Sequence, residues 1–252
     1  MTEVSIAPIS KVPSPGPKTE DDGKIFEMAI CLFLETVYDG TYKYTDPKNQ
    51  EKMAKILDRL RQSQLGELLG TTKFTHTAKK GARYDFTSIG ETNEQIHHLS
   101  AKTCKKGIGK VAPQVIGQCQ PSKFCEVFDN RATCENLKEW IQENTATVLE
   151  KMMEYTFDCP NIYYNVASGR ILYITLAAPI PWRDFEFKWT RGYDEWTNSS
   201  TVKMVKKECT KETLVSIAEF QFHTKSRTNM ANRWVYDNLW KLFPENFMIV
   251  EL

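Results

Sequence analysis

The stretch Arg83-Tyr-Asp-Phe-Thr-Ser-Ile-Gly-Glu-Thr-Asn-Glu-Gln-Ile-His-His-Leu-Ser-Ala-Lys-Thr103 has the pattern of a two-stranded antiparallel ribbon. Residues 84–89 and 96–102 are rich in Tyr, Phe, Thr, Ile and Leu, which favour strands. The segment 90–95 between them supplies Gly, Asn and other turn residues. The sequence therefore predicts a two-stranded hairpin over this stretch.

The expected register of this hairpin determines which side chains share a face. With the turn centred on residues 92 and 93, Asp85 lies opposite Ser100. Because successive side chains of a strand point to opposite faces, Asp85, Ser100 and Lys102 share one face, with Asp85 and Lys102 on a diagonal. Leu99 and Ala101 point to the other face, which suits a hydrophobic core.

A carboxylate and a lysine on one face suit the metal-assisted hydrolysis of a phosphodiester. The plain alternative is a pair of solvated residues at strand ends, where lysines discourage aggregation between sheet edges. A second carboxylate–lysine pattern, Asp184-Phe-Glu186-Phe-Lys188, competes with the first but lacks a partner carboxylate in a turn-linked strand upstream. His98 shares the Asp85 face in this register, although a lone strand histidine is more often a hydrogen-bonded filler.

The composition indicates an ordinary globular chain. With 252 residues and 41% hydrophobic content, the chain can form one large domain, predicted over 23–252 after a proline-rich tail at 1–22. The chain contains no apolar run of 18 residues and no signal-peptide pattern, so we expect an intracellular, cytoplasmic protein that does not bind a membrane. The seven cysteines lack any C-x-x-C pair, so reduced thiols are expected and a zinc cluster is not.

The charged residues are unevenly distributed, although the formal net charge is only +1. Basic residues concentrate in segments 79–83, 102–110, 203–207 and 225–233, and acidic residues in 48–69 and 133–155. A net charge this small argues against a protein that coats nucleic acid nonspecifically. The segregation instead predicts one side of the molecule that faces an anion.

Hydrophobic patterns predict the remaining elements. Residues 24–37 have little polar surface and are predicted to form a buried helix that carries Glu27. Further helices are predicted at 49–69, 112–128, 133–155 and 229–242, and strands at 162–166, 170–176, 185–189, 201–206 and 214–223.

The segment 218–234 predicts a surface that reads DNA bases or contacts phosphates. A strand with alternating apolar and polar residues leads there into a basic, amide-rich bend. Arginine and lysine side chains can contact the edges of guanine bases, and asparagine and glutamine side chains can contact the edges of adenine bases. A polar loop that caps a helix is the alternative. The candidate DNA-binding residues are His223, Lys225, Ser226, Arg227, Asn229, Asn232 and Arg233, with Arg191 and Asn198 in a second loop and Lys105, Lys106 and Lys110 in a basic Gly-x-Gly turn.

Together these segments resemble the PD-(D/E)xK nuclease superfamily, and more narrowly the type II restriction endonucleases. Asp85 is similar to the first acidic residue of the family motif, and Ser100-Ala-Lys102 looks like its second half with serine in place of the acid. Gly23-Lys-Ile-Phe-Glu27 resembles the amino-terminal helix that carries an additional glutamate. The resemblance implies an α/β (α+β) fold, with a central mixed sheet flanked by helices, a catalytic half at about 23–130 and recognition elements at about 180–240.

The resemblance also implies a site-specific, Mg²⁺-dependent DNA endonuclease that cuts a palindrome in double-stranded DNA as a homodimer. Asp85 and a relocated glutamate would hold Mg²⁺, and Lys102 would stabilise the charged phosphate or orient the attacking water. A serine is a poor ligand for the cation, so Glu27, then Glu126, and last Glu91 or Glu94, are the candidates for the second carboxylate. Gln114 would orient water or contact the DNA backbone.

Two other functions are compatible with the same residues. Ser100 in place of an acid favours a DNA-binding protein that keeps the fold without the chemistry. A repair or structure-selective nuclease would need fewer base-reading side chains than residues 223–233 offer.

Overall fold

The structure is a computed structural model that describes residues 18–79, 82–89, 96–105, 107, 109–133, 135–208, 211–223 and 229–252. The α-helices in these segments are α1 (Lys18–Phe33), α2 (Pro47–Gln62), α3 (Leu65–Leu69), α4 (Pro121–Val127), α5 (Leu137–Glu143), α6 (Thr145–Phe157) and α7 (Tyr236–Leu242). The strands are β1 (Phe74–His76), β2 (Phe86–Ser88), β3 (His98–Cys104), β4 (Lys110–Val111), β5 (Gln118–Cys119), β6 (Asn161–Asn165), β7 (Ile171–Leu176), β8 (Phe187–Trp189), β9 (Ser199–Glu208), β10 (Lys211–His223), β11 (Asn229–Val235) and β12 (Phe247–Glu251).

The first sheet contains the predicted ribbon. Its strand order is β1-β2-β3-β6-β7-β12, and the β3–β6 pair is parallel whereas its other pairs are antiparallel. The connection from β3 to β6 passes through β4, β5 and helices α4 to α6. A mixed sheet flanked by helices is therefore present, which confirms the predicted fold class.

The second sheet has the order β4-β11-β10-β9-β8, with β5 also paired to β11. The long strands β9 and β10 form an antiparallel pair that a register shift interrupts between Ser216 and Ala218. The strands predicted at 185–189, 201–206 and 214–223 correspond to β8, β9 and β10.

Two hydrophobic clusters cover the two faces of the first sheet. Helices α1 and α2 contribute Phe26, Ile30 and Leu60 to a cluster with Phe86 and Leu99, and all five are fully buried. The second cluster lies between the opposite face and the second sheet and contains side chains of α6, β6, β7, β10 and β11. Both sheets thus share the second cluster as a common core.

The helix predicted at 112–128 is wrong over its first half. Residues 110–111 and 118–119 are strands that pair with β11, and only Pro121–Val127 is helical. The chain turns tightly between the two strands: Val115 has a φ of +58°, and a Cβ on Gly117 would lie 2.2 Å from the Pro113 carbonyl oxygen. Pairing with a strand more than a hundred residues away overrides the local helical pattern.

The helix predicted at 229–242 is also wrong over its first half. Residues Asn229–Val235 form β11, which pairs antiparallel with β10, and α7 begins only at Tyr236. Of the four apolar residues that predicted the helix, Leu239 and Trp240 lie in α7, whereas Trp234 lies in β11 and Phe243 caps the end of α7.

Other helices differ from the predictions in their bounds. Helix α1 begins at Lys18, whereas the folded domain was expected to start near residue 22, and it ends at Phe33. The helix predicted at 49–69 is divided at Ser63, and the one predicted at 133–155 is divided at Asn144. Within the described residues, none of the helices has the length and apolar character that a membrane crossing requires.

Candidate functional site

The ribbon places Asp85 against Ser100. Phe86 pairs with Leu99, and this register continues by one residue to Asp85 and Ser100. The Ser100 hydroxyl donates a hydrogen bond to Asp85 Oδ2 over 2.7 Å, and the backbone N–H of Ala101 donates to the same oxygen over 2.7 Å. The strand period thus predicted this pairing correctly, and the two donors hold the carboxylate in one orientation.

Lys102 lies on the same face as Ser100, two residues further along β3. Both Asp85 and Lys102 are half-buried. Burial raises the pKa of the Asp85 carboxyl above its ordinary value, because desolvation outweighs the attraction of Lys102 and the two hydrogen bonds. Burial likewise lowers the pKa of the Lys102 ammonium, against the attraction of Asp85. The two groups form a poorly solvated pair of opposite charges in the middle of the sheet.

The position of β3 explains this burial. Strand β3 is an inner strand, and Ser100 and Lys102 lie beside Asn161 and Tyr163 of β6 in the parallel pair. Ser100 and Asn161 are fully buried, and Tyr163 is 1% exposed. The neighbouring strand β6 therefore restricts the approach of water to Lys102 from its side of the sheet.

Glu27 comes to this pair from α1, as the resemblance implied. Its negative charge raises the pKa of Asp85, although burial and Lys102 affect that pKa more. The direct contacts of Glu27 are different residues: Lys24 Nζ donates to both carboxylate oxygens over 2.9 Å, and His76 Nε2 lies 3.5 Å from Oε2. Glu27 is 9% exposed and is the second carboxylate that the structure brings near Asp85.

Asp158 is a third carboxylate near the pair. It caps the carboxyl end of α6 and contributes to the charge around Lys102. The Tyr84 hydroxyl donates to Asp158 Oδ2 over 2.5 Å, and Arg83 Nη2 forms an ion pair with the same oxygen at 2.8 Å. Asp158 therefore anchors the two residues that precede Asp85.

Aromatic contacts extend this anchor. The Tyr84 ring stacks on His98 with 3.7 Å between centroids and 9° between planes, and the Arg83 guanidinium lies 4.2 Å from the Tyr155 ring centroid. Burial and the hydrogen bond to Asp158 raise the pKa of Tyr84 to about 12. The Tyr84 hydroxyl consequently stays protonated and continues to donate at neutral pH.

A cleft of about 300 Å³ lies beside this network. Its lining includes His97, His98, Asp158, Cys159 and Tyr173, together with residues of α3 and β1. Burial, with a smaller effect of Asp158, raises the pKa of the Cys159 thiol to about 12, so this cysteine remains a thiol.

The predicted metal ligand Glu126 and the predicted catalytic residue Gln114 lie elsewhere. Glu126 on α4 is exposed and pairs with Lys123 at 2.8 Å, and no contact among the described residues joins it to Asp85. Gln114 is buried in the turn between β4 and β5 rather than on a helix, and its backbone N–H donates to the Tyr155 carbonyl over 2.8 Å. Neither side-chain atom of the Gln114 amide has a hydrogen-bond partner. Glu91 and Glu94 lie outside the described residues.

The basic turn is less available to phosphates than predicted. Lys105 forms an ion pair with Asp22 at 3.0 Å, and Lys110 forms one with the buried Glu219 at 2.6 Å. Lys106 lies outside the described residues. Intramolecular carboxylates thus already compensate two of the three predicted phosphate contacts.

The predicted recognition residues are partly gathered at one end of the second sheet. His223 at the end of β10 pairs with Asn229 at the start of β11, and the Phe222 N–H donates to the Asn198 carbonyl over 2.8 Å. Arg191 is exposed in the same loop as Asn198 and donates to Thr197 Oγ1 over 3.2 Å. Lys225, Ser226 and Arg227 lie outside the described residues.

Asn232 and Arg233 lie further along β11. The prediction for Asn232 as a DNA contact is wrong for this structure, because the side chain is fully buried and donates to the Ile116 carbonyl over 2.8 Å. Arg233 is half-buried and pairs across the strands with Glu219. In the competing pattern, the charged side chains of Asp184, Glu186 and Lys188 are exposed to solvent. Lys188 forms an ion pair with Glu212 at 3.1 Å.

Comparison with known proteins identifies one with a similar sequence. Over 241 residues, 93% of its length, the chain is 35% identical to the type II restriction enzyme CviAII of Paramecium bursaria Chlorella virus 1. The chain is a relative of a type II restriction enzyme. It spans 63% of the length of CviAII. No family model matches the chain, and no solved structure gives a significant match.

This similarity to CviAII confirms the predicted resemblance to type II restriction endonucleases. The narrower assignment to the PD-(D/E)xK superfamily stays a prediction, which rests on Asp85, Lys102 and Glu27. The match covers nearly all of the chain and therefore extends beyond the ribbon.

The sequence interpretation missed Asp158 and His76 as neighbours of the site. Asp158 follows a helical pattern and precedes a strand, which is a common place for a solvated acid. Its proximity to Tyr84 depends on the parallel β3–β6 pairing, a long-range contact that no local pattern predicts. The contact of His76 with Glu27 joins β1 to α1, and no local pattern predicts such a long-range contact.

Proposed function

We propose that the chain is a type II restriction endonuclease, which hydrolyses phosphodiester bonds at a short, specific sequence in double-stranded DNA with the help of Mg²⁺. The similarity to CviAII over 93% of the chain supports this function. The observation that carries it is the Asp85–Lys102 pair: two donors from β3 orient the Asp85 carboxylate, and burial desolvates the Lys102 ammonium on the same inner strand β3.

Asp85 and Glu27 would hold the Mg²⁺ ion. Mg²⁺ prefers oxygen ligands, keeps several waters and is commonly bound by only one or two protein carboxylates together with substrate phosphates. Glu27 raises the pKa of Asp85, and a divalent cation relieves this kind of repulsion between carboxylates. The described residues contain no cluster of three or more histidine, cysteine or acidic side chains that could hold a metal, so the proposed site depends on these two carboxylates, with water and phosphate as the other ligands. When bound, the ion polarises the scissile phosphate and lowers the pKa of a coordinated water.

The residues of the chain have separate roles in this mechanism. The Ser100 hydroxyl and the Ala101 N–H fix the orientation of Asp85. The Lys102 ammonium stabilises the negative charge that develops on the phosphate in the transition state. Because Lys102 is poorly solvated, its attraction for that charge is stronger than it would be in water.

Recognition of the DNA sequence is assigned to one end of the second sheet. Arg191, Asn198, His223 and Asn229 present donors and acceptors there, and such groups discriminate between base pairs in the major groove. If the recognition site is palindromic, a homodimer with a two-fold axis would match its symmetry.

One observation favours a second function, that of a DNA-binding protein without catalysis. Ser100 occupies the place of the family's second acid, and its hydroxyl is already used to hold Asp85. If Glu27 does not complete the metal site, the fold would still bind DNA.

Incubation of the purified chain with mixed-sequence plasmid DNA in Mg²⁺ or EDTA tests the proposal. Discrete fragments that require the cation are the expected result. Intact DNA that shifts in a gel would instead favour the DNA-binding protein, and a metal-dependent smear would favour a structure-selective or repair nuclease.

Replacement of Lys102 identifies the site. Lys102→Ala is expected to reduce the cleavage rate by at least about 100-fold, because it removes a preorganised charge at the phosphate. The dissociation constant for uncut DNA in Ca²⁺ should change little. Lys188→Ala is the matched control from the competing pattern. If Lys188→Ala abolishes cleavage and Lys102→Ala does not, the catalytic pair is misassigned.

A further inference from the structure

His76 has a ring orientation that its surroundings fix. It lies on β1 and is 4% exposed. The backbone N–H of Asp39 donates to Nδ1 over 3.1 Å. In the neutral ring, Nδ1 is therefore the acceptor and Nε2 carries the proton.

The Nε2 atom of His76 lies beside a carboxylate without bonding to it. Nε2 is buried and has no hydrogen-bond partner, and it lies 3.5 Å from Glu27 Oε2. Buried donors without a partner are uncommon in folded proteins and are costly. A shift of a few tenths of an ångström in Glu27 would satisfy this one.

The ring itself has little freedom to move. Tyr38 lies on one side with 4.8 Å between ring centroids, and Phe86 lies 5.3 Å away. Because His76 pairs with Phe86 across the strands, the ring lies next to the residue that follows Asp85. His76 is thus packed against β2, the first strand of the ribbon that carries Asp85.

Lys24, the other partner of Glu27, is placed differently. The Lys24 side chain is 23% exposed, whereas the His76 side chain is 1% exposed. A divalent cation would repel the Lys24 ammonium, which can move into solvent on its flexible stem. His76 cannot leave in this way.

From these contacts we propose that His76 is a positioning residue for the metal site, which rests on the function proposed above. When Glu27 is released from Lys24, the Nε2–H of His76 would donate to Oε2 and hold the carboxylate in the orientation in which Glu27 and Asp85 would bind the cation. Partners of this kind orient the ligands of a metal ion, and their loss commonly reduces metal affinity by about 10- to 100-fold.

Titration of the DNA-free protein with Mg²⁺ and Ca²⁺ in a calorimeter tests this role. His76→Leu is expected to weaken binding of both cations by about 10- to 100-fold. His76→Gln restores a side-chain N–H donor and is expected to recover most of the affinity. His97→Leu, on an exposed histidine of the ribbon, is the matched control and should bind as the wild type does.

A second measurement covers the case in which His76→Leu fails to fold. Nitrogen spectra of the wild-type imidazole, with and without Mg²⁺, should show Nε2 protonated and its resonance displaced on addition of the cation. Equal affinities in wild type and folded His76→Leu, or an Nε2 resonance that Mg²⁺ leaves unchanged, would overturn the role of His76. If the wild type still cuts DNA with Mg²⁺, only this inference fails. If it neither binds a cation nor cuts, the proposed function fails with it.

Discussion

Desolvation decides the behaviour of Asp85 and Lys102. Burial raises the pKa of Asp85 and lowers that of Lys102, so it favours the neutral form of each group. A single buried charge without its partner would therefore cost free energy of folding. A bound phosphate and cation would supply further opposite charges to both groups. The pair therefore suits a site in which the substrate completes the electrostatic balance.

Asp158 controls the position of the segment that carries Asp85. Asp158→Asn removes the charge that holds Arg83 and weakens the acceptor of the Tyr84 hydroxyl. We expect cleavage of saturating DNA to slow by about 10- to 100-fold, because small misplacements of a catalytic group have effects of this size. The free energy of unfolding should fall by only about 1 kcal/mol, since Arg83 is partly exposed.

Glu154→Gln is the matched control for this prediction. Glu154 is the weaker partner of Arg83, at 3.9 Å, and its side chain is 49% exposed. Single-turnover cleavage and urea denaturation measure both variants. If Glu154→Gln slows cleavage as much as Asp158→Asn does, the surface charge matters rather than the anchor.

The sequence predicted some of these residues and could not predict others. The opposition of Asp85 and Ser100 follows from the period of a strand and a short turn, so the local sequence contains it. The contact of Asp158 with Tyr84 crosses 74 residues and depends on a parallel pairing. His76 and Glu27 meet only because α1 packs on one face of the first sheet.

At the level of elements, strand pairing overrides local propensity at the short strands. Strands β4 and β5 have two residues each, and both form by antiparallel pairing with β11. The first half of β11 has residues that also suit a helix, and pairing with β10 decides its conformation. The hairpin β6–β7 and the strands β8 to β10 were predicted because their β-branched and aromatic residues indicate strands without reference to a partner.

The ion pair between Lys110 and Glu219 connects β4 to β10 across β11. Lys110→Met leaves the buried Glu219 with Gln221 as its remaining hydrogen-bond donor, and we expect a loss of about 1–3 kcal/mol in the free energy of unfolding at pH 7. Burial raises the pKa of Glu219, but the hydrogen bonds from Lys110 and Gln221 outweigh it and keep the pKa below its ordinary 4.5.

The sign of the pH dependence follows from this lowered pKa. A carboxyl whose pKa is lower in the folded state stabilises the fold above its ordinary pKa, and this contribution is lost as the pH falls. The difference between wild type and Lys110→Met should therefore be complete at pH 7 and shrink below pH 4.5. Urea denaturation across this range measures it, with the exposed Lys188→Met as control. A difference that grows at low pH would contradict the assigned pair.

For the whole molecule, the shared core joins the sheet that carries the ribbon to the sheet assigned to recognition. Trp234 of β11 is fully buried, stacks on Trp182 with 5.7 Å between centroids, and donates Nε1–H to Thr156 of α6 over 3.0 Å. Tyr236 contacts Tyr163 of β6 with 5.3 Å between ring centroids. The second hydrophobic cluster contains side chains of both sheets, so we expect the two sheets to unfold together.

Trp234→Ala tests this coupling. Removal of a large buried side chain and its hydrogen bond should lower the free energy of unfolding by about 3–5 kcal/mol. Because the cavity lies in the core that both sheets share, far-ultraviolet circular dichroism and tryptophan fluorescence should report one cooperative transition, displaced to lower urea concentration. Tyr193→Ala, on a side chain that is 49% exposed, should change stability by less than about 0.5 kcal/mol. Two separated transitions in Trp234→Ala, with the cation binding proposed for Asp85 and Glu27 surviving the first, would mean that the first sheet folds independently of the second.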